Sequence, residues 1–350
     1  MHPKFGQLMK DATTLTRAGD LQAAMAAITA ALNGHPAVTD PAPAAPNGHV
    51  IDVVARVVEE DEAAPAVRPA AATEAEQFVS GHYVHRAGKR DYRLFIPATH
   101  PDKPRKLVLM LHGCTQNPDD FARGTRMNAL GAEHNALVLY PAQTRQANAQ
   151  GCWNWFKHNH QARGRGEPAL LADLTRHIAE SHGVDPQHVY VAGLSAGGAM
   201  AAILATTHPD VFAAAGVHSG LPAGAARDLP GALAAMQGQV SSGLAGAAKS
   251  GVRMIVFHGD ADATVHARNG ERVAAAHGAA ASVDEQPGLQ HGGRACTRRL
   301  HRDVQGRVVV EQWRVHGAGH AWSGGDPSGS YTDACGPDAS AEMMRFFLQA

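Results

Sequence analysis

Residues 189–198 read VYVAGLSAGG, and the reading of the fold turns on them. A β-prone run, Val189–Ala192, leads straight into Gly193-Leu194-Ser195-Ala196-Gly197, and a small-residue stretch, Ala196–Thr206, has the composition of a helix. A serine with glycines two positions to either side, set between a strand and a helix, implies a sharp turn that lifts the hydroxyl clear of the sheet and aims the helix N-terminus at it. Side chains at the two glycine positions would collide in such a turn. The chain has 37 glycines, so the pattern carries weight through its context and not alone. The alternative is a glycine-rich turn that happens to hold an inert serine.

Outward from this turn the pattern is strand, helix, strand. Tyr92–Ile96, Lys106–Leu111, Ala136–Tyr140, Met254–His258 and Val308–Val315 read as strands, and Val211–Val217 leads into another. The run KLVLML at 106–111 is continuously apolar, as expected for a strand buried on both faces. Helices are expected over Phe121–His134, Pro168–His182 and Ala339–Leu348. Alternating buried strands and helices define an α/β fold with a mainly parallel sheet and helices on both faces.

A serine hydroxyl needs a base, and the base needs a carboxylate to orient it. In the strand-turn-helix setting these follow in the order Ser, Asp or Glu, His. After the strand at 254–258 comes HGDADATV, and Asp262 is preferred in its HG-x-x-D-x-x-V spacing, with Asp260 the runner-up as a turn former. Near the end, WRVHGAGHAWSG places His320 in a glycine-flanked loop between the last strand and the final helix, with His316 the weaker candidate. Negative charge developing on a carbonyl oxygen requires two waiting N–H groups. The Ala196 amide is one. The loop LHGCTQN supplies the other from Cys114, with Thr115 as alternative.

The rest of the chain narrows the options. Of its 350 residues 31 are basic and 32 acidic, a net charge of −1, which gives no electrostatic reason to expect nucleic acid or an anionic membrane. No apolar run reaches the ~18–20 residues of a membrane span. The 22 histidines are scattered, with neither HExxH nor CxxC present, so no metal is expected. Residues 1–34 are expected to form a helical hairpin, residues 35–76 a Pro/Ala-rich flexible linker and residues 77–350 the catalytic domain. The first residues lack the apolar core of a secretory signal, so the expected location is cytoplasmic, which would favour free thiols.

The stretches LHGCTQNPDDFA, GCWNWF, GEPALLADL, VYVAGLSAGGAMA, GHAWSGG and GPDASAEMMRFF together resemble the esterases of the polyhydroxybutyrate depolymerase family, which also includes feruloyl and acetylxylan esterases. The resemblance covers roughly residues 80–350. It implies an α/β-hydrolase fold, supports Ser195, Asp262 and His320 as the catalytic set, and requires no cofactor. It draws attention to Trp153 and Trp155, which could line an acyl pocket or simply cover the sheet edge as core, and to Trp322 as a second pocket wall. Secreted relatives often pair cysteines, so Cys114–Cys152 and Cys296–Cys335 are conceivable bridges among the three pairings that four cysteines allow. The expected substrate is an ester, either poly(3-hydroxybutyrate), its oligomers or a short acyl ester, with granule association through residues 1–34 conceivable. The alternatives are a feruloyl or acetylxylan esterase and, from another class, a non-catalytic binding protein on the same fold.

Overall fold

The computed structural model describes residues 75–98, 104–239, 251–276 and 280–349. The hairpin expected over residues 1–34 and nearly all of the expected linker lie outside the described residues. Strands β1 (Gln77–His85) and β2 (Gly88–Ile96) form an antiparallel hairpin, followed by β3 (Arg105–Leu111), α1 (Pro118–Thr125), α2 (Met127–His134) and β4 (Ala136–Pro141). Then come α3 (Gly166–Ser181), β5 (Val184–Leu194), α4 (Ala196–Thr207), β6 (Ala214–His218), α5 (Leu229–Met236), β7 (Arg253–Gly259) and α6 (Arg268–Ala276). A second hairpin, β8 (Ser282–His291) and β9 (Arg294–Arg302), precedes β10 (Val308–Val315), the two short strands β11 (Trp322–Ser323) and β12 (Thr332–Asp333), and α7 (Ala339–Leu348).

Ten strands form one sheet in the order β1-β2-β4-β3-β5-β6-β7-β10-β9-β8. The six from β4 to β10 run parallel, and an antiparallel hairpin closes each edge. The side-chain period of two explains why β3 is apolar throughout. Leu107, Leu109 and Leu111 pack on one face with Leu171, Leu174 and Ile178 of α3. Val108 and Met110 pack on the other with Phe121 of α1 and Met343 and Phe347 of α7. Each such fully buried side chain contributes about 1.5–3 kcal/mol. The chain moves outward from β3 to β4 and then returns to place β5 on the other side of β3. This reversal makes the C-terminal ends of β3 and β5 the crevice where ligands bind in open α/β sheets.

Two expectations need correction. The helix expected over Phe121–His134 is two helices, because Arg126 takes a left-handed conformation (φ 54°) that caps α1 and starts α2. The edge hairpins β1–β2 and β8–β9 are more extensive than the apolar pattern indicated. Their exposed positions are mostly polar, and β8–β9 is held by cross-strand pairs such as Arg299–Glu285 and Arg302–Asp284.

Candidate active site

Ser195 follows β5 with φ 57° and ψ −117°, a left-handed conformation costly for a residue with a Cβ. The flanking glycines make the turn possible. A Cβ on Gly193 would come within 2.4 Å of the Gly197 carbonyl carbon, and one on Gly197 within 2.0 Å of the Leu111 oxygen. The Ser195 amide donates to the His218 carbonyl at the end of β6 (2.9 Å), which ties the elbow to the neighbouring strand.

Asp262 lies in the turn after β7, and its side chain is fully buried. Its Oδ1 accepts from the amides of Thr264 (2.9 Å) and Val265 (2.8 Å). Its Oδ2 meets His320 Nδ1 at 2.7 Å and His258 Nε2 at 3.4 Å. Burial works to raise its pKa, but the hydrogen bonds from His258 and His320, the charge of His320 and the Val265 amide win and hold the carboxyl well below its usual range. An ionised Asp262 can only accept, so His320 Nδ1 carries the proton and its Nε2 is left for a substrate-side hydroxyl. Among the described residues, Ser195 Oγ has no hydrogen-bond partner, so the relay from Ser195 to His320 is open here. Such contacts commonly tighten only when substrate binds.

The loop after β3 carries the oxyanion candidates, and its hydrogen bonds separate them. The Gly113 amide donates to Gln116 Oε1 (2.8 Å) and the Thr115 amide to the Gln150 carbonyl (2.8 Å). Among the described residues, the Cys114 and Ala196 amides have no partner. Both lie beside Ser195, whose Cβ is 3.7 Å from a Cβ built on Gly113. A disulfide joins Cys114 to Cys152 and anchors this loop to the segment after β4. The other conceivable bridge is absent: Cys296 is a buried free thiol on β9, and Cys335 is exposed and free.

The tryptophans are placed as core. Trp153 and Trp322 are almost completely buried, and Trp155 nearly so. Trp153 Nε1 donates to the His112 carbonyl (3.0 Å), which braces the oxyanion loop from behind. Trp322 Nε1 donates to Ser340 Oγ (3.0 Å), and its ring stacks on His218 at 5.1 Å. Buried and hydrogen-bonded in this way, both indoles pack as braces, which for Trp153 is the core alternative of the sequence reading.

Several supporting residues were not legible in the sequence. His218 is buried between Phe257 and Trp322. Its Nε2 accepts from the Ser323 amide (3.0 Å), three residues past His320, and its Nδ1 faces Ser219 Oγ (3.2 Å). Burial, with His258 and His320 nearby, pushes this ring down to about 3, so it stays neutral and keeps Nε2 as an acceptor. One residue thus holds the nucleophile turn through its carbonyl and the base loop through its ring. His258 sits in the same HG-x-x-D-x-x-V stretch that singled out Asp262, and its Nε2 donates to the Val265 carbonyl (2.7 Å). Behind the oxyanion loop, buried Glu167 accepts from Arg90, Gln143 and both the amide and side chain of Asn154. Gln143 in turn donates to the Cys152 carbonyl and, through its amide, to His112 Nε2. Among the described residues, no group of three or more His, Cys, Asp or Glu side chains is placed to hold a metal ion.

An elbow serine at a topological switch point, followed in chain order by a hydrogen-bonded aspartate and histidine, defines an α/β-hydrolase. The chain belongs to the esterase PHB depolymerase family, whose model matches residues 90–292, more than half of its length. It is 31% identical over 287 residues to a poly(3-hydroxybutyrate) depolymerase of Ralstonia pickettii, covering 72% of this chain and 56% of that protein. It is also 31% identical over 225 residues to poly(3-hydroxyalkanoate) depolymerase C of Paucimonas lemoignei, covering 61% and 54%. A probable acetylxylan esterase A of Aspergillus fumigatus is 27% identical over half of each chain. The chain thus spans about half the length of these curated relatives. In fold, it is similar to the acetyl xylan esterase from Aspergillus awamori, with a TM-score of 0.59 and 19% identity over 78% of this chain and 99% of that one.

Proposed function

We propose that this chain is a serine ester hydrolase that cleaves 3-hydroxybutyrate oligomers or polymer and short acyl esters through an acyl-enzyme on Ser195. The observation that carries the reading is the buried Asp262–His320 pair, together with an elbow serine and two free amides. Ser195 Oγ attacks the ester carbonyl while His320 Nε2 takes its proton. The Cys114 and Ala196 amides hold the resulting oxyanion. His320 then gives the proton to the departing alcohol oxygen, and the acyl group stays on Ser195. Water attacks the acyl carbon, His320 takes the water proton and returns it to Ser195 Oγ, and the acid leaves. Asp262 keeps His320 in the Nδ1–H tautomer throughout and stabilises the imidazolium. The depolymerase relatives support hydroxybutyrate as the acyl unit. The acetylxylan esterase relative supports acetyl esters as the second reading.

The test is hydrolysis of p-nitrophenyl acetate, 3-hydroxybutyrate trimer, acetylated xylan and methyl ferulate by the full chain and by Ser195→Ala. Trimer cleavage that disappears in the variant supports the proposal. Activity retained by Ser195→Ala contradicts it, and cleavage confined to acetylated xylan or methyl ferulate moves the substrate to the second reading. Residence belongs to the same proposal. The Cys114–Cys152 bridge supports an oxidising compartment over the cytoplasm. Titration of denatured, unreduced protein should then find only Cys296 and Cys335 as thiols. Granule association through residues 1–34 is tested by comparing polymer-granule binding of the full chain and a chain starting at residue 76.

A further inference from the structure

Among the described residues, the exposed large hydrophobic side chains are Val79, Val84, Val283, Val304 and Tyr331, and only the last is aromatic. The valines lie on β1, on β8 and in the turn after β9. Tyr331 lies elsewhere, in the segment between β11 and α7 that crosses the oxyanion loop. Its backbone has φ 52°, a conformation that is an outlier for a bulky side chain. Such strain persists only where the surroundings over-determine it, and it concentrates at sites that hold ligands.

The surroundings do over-determine it. The Trp322 amide donates to the Tyr331 carbonyl (2.7 Å), and β11 pairs with β12 on the far side. The preceding residue is pinned as well: Ser330 donates its amide to Asp120 Oδ1 (2.9 Å), and its carbonyl accepts from Gln116 Nε2 (3.0 Å). Gly329 packs so closely on α1 that a Cβ there would lie 2.4 Å from the Gly124 Cα. At the end of this clamp the Tyr331 hydroxyl lies 3.3 Å from Thr115 Oγ1. Thr115 Oγ1 already donates to the Cys114 carbonyl, so the tyrosine hydroxyl is the donor in this pair. The ring is therefore fixed in the open, one residue along from the Cys114 amide.

We propose that Tyr331 is a substrate-contact residue whose ring receives the alkyl part of the ester unit next to the one being cleaved, so that the site selects multi-unit aliphatic esters over single acetyl groups. This rests on the ester-hydrolase reading above. With the hydroxyl committed to Thr115, the ring offers an apolar surface, suited to the methyl and methylene groups of a hydroxyacyl repeat.

The test uses Tyr331→Ala, Tyr331→Phe and Tyr331→Gly in the full chain, with p-nitrophenyl acetate as the one-unit substrate and 3-hydroxybutyrate trimer as the extended one. Tyr331→Ala should raise KM for the trimer about tenfold, at least about fivefold more than it changes KM for p-nitrophenyl acetate. Tyr331→Phe, which keeps the ring, should hold the trimer KM within about threefold of wild type. Tyr331→Gly should share the KM loss of Tyr331→Ala yet melt at a higher temperature than it, because glycine tolerates the backbone conformation. Equal losses on both substrates, or an unchanged trimer KM in Tyr331→Ala, would overturn the proposal. If wild type cleaves p-nitrophenyl acetate but not the trimer, the depolymerase reading fails by itself. The same KM shift is then required on p-nitrophenyl octanoate relative to acetate, and its absence overturns the contact. Wild type inactive on every ester overturns both readings.

Discussion

Two carboxylate–imidazole pairs stand on the same two loops, four residues or fewer apart. Asp262 Oδ2 meets His320 Nδ1 at 2.7 Å, and Asp260 Oδ2 meets His316 Nδ1 at 2.7 Å. The contacts match and the settings do not. The side chains of Asp262 and His320 are 0% and 11% exposed, those of Asp260 and His316 36% and 38%. Asp262 is ringed by two amides and His258, whereas Asp260 otherwise takes only the Gly317 amide. The distal nitrogens differ as well. His316 Nε2 is occupied by Thr297 Oγ1 at 2.9 Å, while His320 Nε2 has no partner among the described residues. The pair near water is screened and saturated, and it pins the start of the base loop. The buried pair keeps a charged carboxylate behind an imidazole with a free basic nitrogen. Burial and vacancy, not the hydrogen bond itself, distinguish the two pairs.

Substitutions in the two aspartates should split widely. Asp262→Asn should lower kcat on p-nitrophenyl acetate by about 10⁴-fold, because an amide can hold the imidazole in the wrong tautomer. Asp260→Asn should stay within about threefold, since it touches only a surface pair. A common loss for both would erase the distinction.

The next effect probes what holds the buried pair in place. His218→Ala removes the acceptor for the Ser323 amide and the ring beneath Trp322. A small misplacement of the base loop should cost about 10- to 100-fold in kcat with little change in KM. His218→Gln, which restores an acceptor, should recover part of it. A rise in KM at constant kcat would instead assign His218 to substrate binding.

The oxyanion side is held covalently, and its loss should be milder. Cys114→Ser with Cys152→Ser should lower stability by about 2–4 kcal/mol in denaturant melts. It should also reduce kcat by about tenfold as the Cys114 amide loosens. Unchanged kcat in a folded variant would show that Trp153 and Gln150 suffice to hold the loop.

The smallest effect is in stability against pH. Burial lowers His218 to about 3 and His112 to about 4, both below the ordinary histidine value. Between those values and about 6.5 the unfolded chain binds more protons than the folded one, so stability is complete above about 6.5 and falls as pH drops through that window. Melting temperatures at pH 7.5 and 5 should therefore differ, and by less in folded His218→Gln. An equal drop in that variant would place the acid sensitivity elsewhere.

The parts of the fold legible in the sequence are those where one physical requirement dominates. β3, β4, β7 and the second half of β5 are buried on both faces, and they read as apolar runs. The glycines about Ser195 are demanded by contacts of 2.4 Å or less to a built Cβ, and they mark the elbow. The hairpin β8–β9 faces solvent and is held by charge pairs, so it has no apolar period to read. The supports of the site depend on partners far along the chain. The His218 ring and the Ser323 amide are 105 residues apart, and Trp153 and the His112 carbonyl 41. The same long-range contacts bury Trp153 and Trp322 as braces, a placement that spacing alone does not record. Spacing favours Asp262 with Asp260 as runner-up, but it carries no record that both aspartates have histidine partners or of which pair is buried.

The most direct measurement is kcat/KM on p-nitrophenyl acetate for His320→Ala and His316→Ala assayed side by side, with melts confirming that both are folded. A loss of about 10⁴-fold or more in His320→Ala and less than about threefold in His316→Ala is the predicted outcome. Comparable losses in the two, or the larger loss in His316→Ala, would contradict the assignment of the buried pair as the one that activates Ser195.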